Sequence, residues 1–102
     1  MPEMRFRVSW PDGTPETCYS PSLVITDYFT VGQSYVLPEF LTRSRAALKI
    51  ASDRVKAKYG HPCGRALAQL ARIEAASQLF ADLPDARVAV EAFEESHSKN
   101  GD

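Results

Sequence analysis

Apolar and polar residues alternate from Met4 to Trp10, with Met4, Phe6, Val8 and Trp10 on one side and Arg5, Arg7 and Ser9 on the other. A period of two is that of a strand with one buried face. Pro11-Asp12-Gly13 then reads as a turn, because proline presets one dihedral and glycine accepts positive φ. Glu16 to Tyr19 resumes as a second strand, so this stretch predicts an antiparallel hairpin. Ser20-Pro21 has the form of a helix start, a hydroxyl at the N-cap and a proline at the first helical position. Leu23, Val24, Tyr28 and Val31 fall near helical spacing, with Gly32 as a left-handed stop. The β-branched Val24, Ile25 and Thr26 argue for a strand instead. A short helix is expected over 21–31, with a strand as the alternative, and Gln33 to Leu37 as an extended link.

From Pro38 the apolar period lengthens to three and four. Leu41, Ser44, Leu48, Ala51, Val55 and Tyr59 make one stripe of a long helix that Gly60 ends. After Pro62 a second stripe follows, with Cys63, Ala66, Leu67, Leu70, Ile73, Ser77 and Phe80. Two helices joined by so short a corner form an antiparallel αα-hairpin. Leu83-Pro84-Asp85 breaks the chain, and Val88, Val90 and Ala92 then alternate as a third strand. Glu95 to Asp102 is polar and expected to form a flexible tail, leaving residues 1–94 as one domain. The predicted class is α+β. A small antiparallel sheet, the N-terminal hairpin plus the C-terminal strand, packs on a helical layer with a long αα-hairpin.

Composition agrees with one ordinary globular domain: 102 residues, 44% hydrophobic and 25% charged. The strand pattern at the N-terminus leaves no apolar signal segment, and no apolar run approaches the ~20 residues that span a bilayer. A cytoplasmic protein with no membrane partner is expected, and its two cysteines should be thiols.

Charge changes the picture more. Between Leu41 and Arg72 stand eight basic residues and one acid, Asp53, a sum of +7; the remaining four bases and twelve acids sum to −8, giving the net −1. Wound at 100° per residue, the long helix sets Arg43, Arg54 and Lys58 on one flank of its stripe. Arg45, Lys49 and Lys56 line the other flank. Basic side chains commonly occupy such borders, their stems covering apolar surface. The alternatives are a phosphorylated or carboxylated small molecule, nucleic acid, or an acidic protein surface. The sequence pI near 6.1 argues against nucleic acid. The pole opposite the stripe carries Ala46, Ile50 and Ala57 with only Asp53 charged, so it is expected to be covered by other elements or a second subunit. A homodimer is the economical expectation.

The corner Tyr59-Gly60-His61-Pro62-Cys63-Gly64 carries the most reactive residue types. Placed in the first turn of its helix, Cys63 feels the positive dipole end, and His61 in the N-cap region stands two residues away as a base. Cys63 is also in phase with Leu67, Leu70 and Ile73, and a cysteine at an apolar position is more often packing than chemistry. Cys18, Cys63, His61 and His97 supply the only thiols and imidazoles, without a CxxC or HxxxH spacing, so neither a metal nor another cofactor is expected. No GxxxxGK[ST], GxGxxG or GxSxG is present, and Trp10 reads as a core or edge anchor.

The strings MRFRVSWPDG, CYSPSLVITDYFTVGQSY and RSRAALKIASDRVKAKYG, with the QLARIEAA run, resemble a family of small bacterial nitrogen-starvation response proteins. The similarity runs from Pro2 to Phe93 and is most family-like at Tyr19-Ser20-Pro21-Ser22 and Arg43-Ser44-Arg45. It implies gene clusters with a nitrilase, a radical-SAM protein, an acetyltransferase-like protein and a flavoprotein, linked to nitrile or cyanide assimilation. It carries over no catalytic residue. Enzymatic activity stays open, and the favoured expectation is a non-catalytic accessory protein, a homodimer with an enzyme of the same cluster as its expected partner. The alternatives are a regulatory module holding an anionic metabolite on the basic flank, and a cysteine-dependent enzyme at Cys63.

Overall fold

Phe6 lies opposite Cys18 and Met4 opposite Ser20 in the hairpin formed by β1 (Glu3–Ser9) and β2 (Pro15–Ser20) of the computed structural model, which describes residues 3–96. The Gly13 N–H reaches the Trp10 carbonyl at 2.8 Å, and Asp12 Oδ1 accepts from the Thr14 N–H at 2.9 Å, closing the turn. The chain continues through α1 (Ile25–Tyr28), β3 (Ser34–Val36), α2 (Leu37–Tyr59), α3 (Gly64–Gln78) and β4 (Arg87–Ser96). All strand pairs are antiparallel, in the order β2-β1-β4-β3. The α+β class, the N-terminal hairpin, the C-terminal strand and the αα-hairpin are as the residue pattern predicts.

One sheet face is apolar and buried. Met4, Phe6, Val8, Cys18, Val88 and Val90 pack toward Phe40, Ala47 and Leu48 of α2 and Ala66 and Ile73 of α3. A bulge makes this face continuous: Arg7 lies opposite Ala92 but Val8 opposite Val90, so Glu91 is the extra residue. Phe93 and Val90, three apart, thereby both meet apolar partners, Phe6 and Val8. The other face carries Arg5, Arg7, Glu91 and Glu94, all exposed, as one-sided antiparallel sheets do. Trp10 anchors the hairpin end as expected, its ring 5.6 Å from Phe40 and 6.0 Å from Phe80, its indole N–H donating to Glu16 Oε1 at 2.9 Å.

The 20–36 stretch departs from expectation. Ser20 is not an N-cap; it ends β2, its hydroxyl donating to the Ser22 carbonyl at 2.8 Å and accepting from the Ser22 N–H at 3.3 Å. Ser22 Oγ in turn accepts from the Val24 N–H at 3.2 Å. These serines give the backbone a local alternative to helix, so α1 is a single turn of four residues that starts only at Ile25. Gly32 does hold the left-handed φ of +89°, but its N–H binds the Val90 carbonyl at 2.8 Å rather than closing a helix. The expected link after it forms β3, which pairs with β4 and supplies a fourth strand.

The helices are rotated from the predicted stripes. In α2 the buried side chains include Phe40, Ser44, Ala47, Leu48 and Ala51, while Leu41 and Val55 are half-buried and Tyr59 is 56% exposed. In α3 Ala66, Gln69, Ile73 and Ser77 are buried and Leu67 is 48% exposed. Gly60 ends α2 as predicted, at φ +88°, with its N–H on the Lys56 carbonyl at 2.8 Å. Glu95 and Ser96, assigned by sequence to the tail, close β4; the rest of that tail, His97 included, lies outside the described residues.

Candidate functional site

The six flagged bases of α2 divide. On one flank Arg43 donates to Glu39 Oε2 and to the Tyr28 carbonyl, both at 2.8 Å, with its guanidinium 5.2 Å from the Tyr35 ring centre. Arg54 donates to Ser22 Oγ at 2.9 Å. These two arginines fasten the 22–28 segment to the helix, and the half-buried Ile50 shares their face at helical spacing. Part of the apolar pole is thus covered within the chain; Ala46 is half-buried, while Asp53 and Ala57 stay exposed. Lys58 lies 5.6 Å from the Tyr59 ring centre.

The other flank faces α3. Arg45 pairs with Glu74 at 2.8 Å and Lys49 with Asp53 at 3.2 Å. Farther along α3, Arg65 stacks 4.0 Å over the Tyr19 ring and lies 3.7 Å from Glu3, and Arg72 is 3.4 Å from Glu16. The charge split in sequence is therefore answered largely inside the fold, with acids of the N-terminal hairpin meeting bases of α3. These pairs are mostly exposed and each contributes about 0–1 kcal/mol.

Beside this flank the surface is concave. A cavity of about 640 Å³ opens between the start of α2, the end of α3 and the following loop, walled by Leu37, Pro38, Leu41, Phe80 and Leu83. A second, about 440 Å³, lies between α2 and α3 over Pro62, Leu67 and Leu70, with Lys49 and Lys56 on its rim. Both are lined by Arg45 and Glu74, so one ion pair divides a single groove. Leu83 on its wall is 51% exposed. Asp85, at the lip, holds a left-handed φ of +57°, uncommon outside glycine. Of the residues singled out in sequence the groove brings together Arg45, Lys49 and Lys56; Glu74, Asp85 and the apolar walls, which three chain segments supply, carry no spacing signal.

The corner is built otherwise than expected. Cys63 is not in the first turn of α3; it is the N-cap, with φ −80° and ψ 109°, and the helix starts at Gly64. Its N–H donates to Ser52 Oγ at 3.2 Å, and its half-buried side chain packs at the edge of the core. His61 is exposed and outside the cap, its Nδ1 3.4 Å from the Pro62 carbonyl. No hydrogen bond joins His61 to Cys63 among the described residues. No group of three or more metal-ligating side chains occurs among the described residues.

Burial pushes the Cys18 thiol from 9.0 up to about 12, and burial with the neighbouring Glu3 carboxylate pushes Tyr19 from 10.0 up to about 12. In both cases the folded state holds a proton that the unfolded chain releases. Stability from these groups is therefore complete below about pH 9 and declines as the pH rises toward 12. Urea titrations at stepped alkaline pH should show that decline, and Cys18→Ala should remove its earliest part. Iodoacetamide near neutral pH should leave Cys18 unlabelled until unfolding. Half-buried Cys63 should react first, but no faster than a free thiol. Labelling of Cys63 well above the free-thiol rate would revive the nucleophile reading.

No helix of the described residues is long and apolar enough to cross a membrane. The family model for the nitrogen starvation-induced protein NitG matches residues 5–93, and the chain belongs to that family. Neither the curated proteins nor the solved structures give a match.

Proposed function

We propose that this member of the nitrogen starvation-induced family is a non-catalytic accessory protein of the starvation response, acting as a homodimer and contacting an enzyme of nitrile or cyanide assimilation. The working surface is the α2–α3 hairpin between Arg43 and Arg72. One observation carries this reading: the groove along that hairpin exposes large apolar side chains, Leu67 at 48% and Leu83 at 51%, beside charges that are mostly paired internally. Exposed apolar concavities with polar rims are typical of docking surfaces. Tagged protein from nitrogen-starved cells is expected to retain enzymes encoded with it. Retention of none of those enzymes by the wild-type protein removes the accessory role.

The second cavity favours a different reading, a regulatory site for an anionic metabolite. Lys49 and Lys56 with Ser52 overhang an apolar floor there, whereas Arg43 and Arg54 are committed to the 22–28 segment. A carboxylate or phosphate at ~100 times its Kd should stabilise the fold by about 2.7 kcal/mol. Lys49→Gln with Lys56→Gln should abolish that shift without changing the ligand-free midpoint. A thermal screen of carboxylates, phosphates and nucleotides that moves nothing removes this site.

A further inference from the structure

The two cavities make one groove from Pro38 to Lys56 along α2, a run of roughly 27 Å at the helical rise. Arg45 and Glu74, 2.8 Å apart, sit near its middle and border both halves. Beyond that pair the halves differ in sign. The half beside the end of α3 is lined by one further charge, the acid Asp85; the other is lined by Lys49 and Lys56 against Asp53. Lys49 is tied to Asp53 at 3.2 Å, whereas neither Lys56 nor Asp85 has an ion-pair partner among the described residues. The groove is thus acidic at one end, neutral at its centre and basic at the other.

A two-fold axis through that centre lays the acidic end of one copy on the basic end of another. We propose that two copies of the chain associate through this groove in an isologous pair, with Lys56 of each facing Asp85 of the other. The inference rests on the dimer part of the reading above and assigns its face. The same axis brings the exposed Leu67 of one copy to the apolar cavity beside Leu83 of the other, covering side chains that are 48% and 51% exposed in a single chain. Complementary charge sets register and orientation in such a contact, and the leucines supply affinity.

Sedimentation equilibrium at low and high ionic strength tests it. The wild-type chain should form dimers and nothing larger, with a Kd that rises with salt. Lys56→Glu alone and Asp85→Lys alone should each raise Kd roughly tenfold, because each places like charges together at both symmetric contacts. Both changes in one chain should restore wild-type Kd, as should an equimolar mixture of the single variants. Asp85→Asn, whose side chain tolerates the backbone at φ +57°, separates charge from strain and should weaken the dimer less. Leu67→Glu, at an exposed position, should abolish dimers while the far-UV spectrum stays native. Dimers indifferent to all these changes overturn this face and leave the dimer reading intact. A wild-type chain that stays monomeric at its highest soluble concentration overturns both, and cluster-enzyme retention then decides the accessory role separately.

Discussion

Phe40→Ala should cost about 3–5 kcal/mol of stability, against about 1 kcal/mol for Leu41→Ala at the neighbouring position. Phe40 is fully buried, its ring 5.2 Å from Phe29 and 5.6 Å from Trp10, at the point where α2, the hairpin end and the 22–36 segment meet. Removing it opens a cavity walled by two other aromatic rings that cannot collapse together. Leu41 is half-buried on the groove and its loss exposes only a shallow wall. Domains of this size hold about 5–15 kcal/mol in total, so Phe40→Ala should also lower the melting temperature by more than about 12 °C. Urea melts of the two variants measure the difference directly. A Leu41→Ala cost larger than that of Phe40→Ala would mean that α2 turns its other face to the sheet.

That comparison also marks where the chain's pattern stops being informative. The stripe from Leu41 to Tyr59 locates a helix but tolerates rotation by a residue, because small side chains such as Ala47 and Ala51 read equally well as core or surface. Phe40 settles the rotation, and it does so through Trp10 and Phe29, which are distant in sequence. The hairpin, the Gly60 stop and the break at Leu83-Pro84-Asp85 were legible because each rests on local dihedral chemistry. β3 was not: three residues, Ser34 to Val36, become a strand only because Arg87 to Ala89 lie beside them. The α1 segment was misread for the opposite reason. Ser20 satisfies cap-like rules, yet its hydroxyl binds the Ser22 backbone while Ser22 Oγ accepts from the Val24 N–H, and together they hold a turn.

The candidate site divides along the same line. The charge split between hairpin and remainder was visible in composition, but its meaning was not, since Arg72 finds Glu16 and Arg65 finds Glu3 only after folding. Bases counted as available on α2 turn out to be structural where they meet Tyr28, Ser22 or Glu74. The groove itself keeps a smaller set, Lys49, Lys56 and Asp85 around apolar walls, drawn from segments that no spacing motif connects.

Gln69→Leu should destabilise the fold by about 1 kcal/mol, the low end of the usual cost of orphaning a buried donor. Gln69 is buried on α3, and its Oε1 accepts the Tyr19 N–H at 3.0 Å. Among the described residues β2 is an edge strand, with β1 on one side and no strand on the other, so this amide oxygen supplies the partner that a further strand would. Two effects then oppose. Leucine leaves the Tyr19 N–H without its acceptor, but it also removes Gln69 Nε2, a buried group with no hydrogen-bond partner among the described residues. The first should win, because the strand backbone cannot move to find another acceptor while an amide NH₂ is relieved by simple deletion. Hydrogen exchange separates the terms. The Tyr19 amide should exchange faster in Gln69→Leu by more than the change in global stability, while the Phe6 and Val8 amides of the central strand follow the global change. An unaltered Tyr19 rate would show that the edge is held by something other than Gln69, and a stabilised variant would show that the orphaned NH₂ had outweighed the bond.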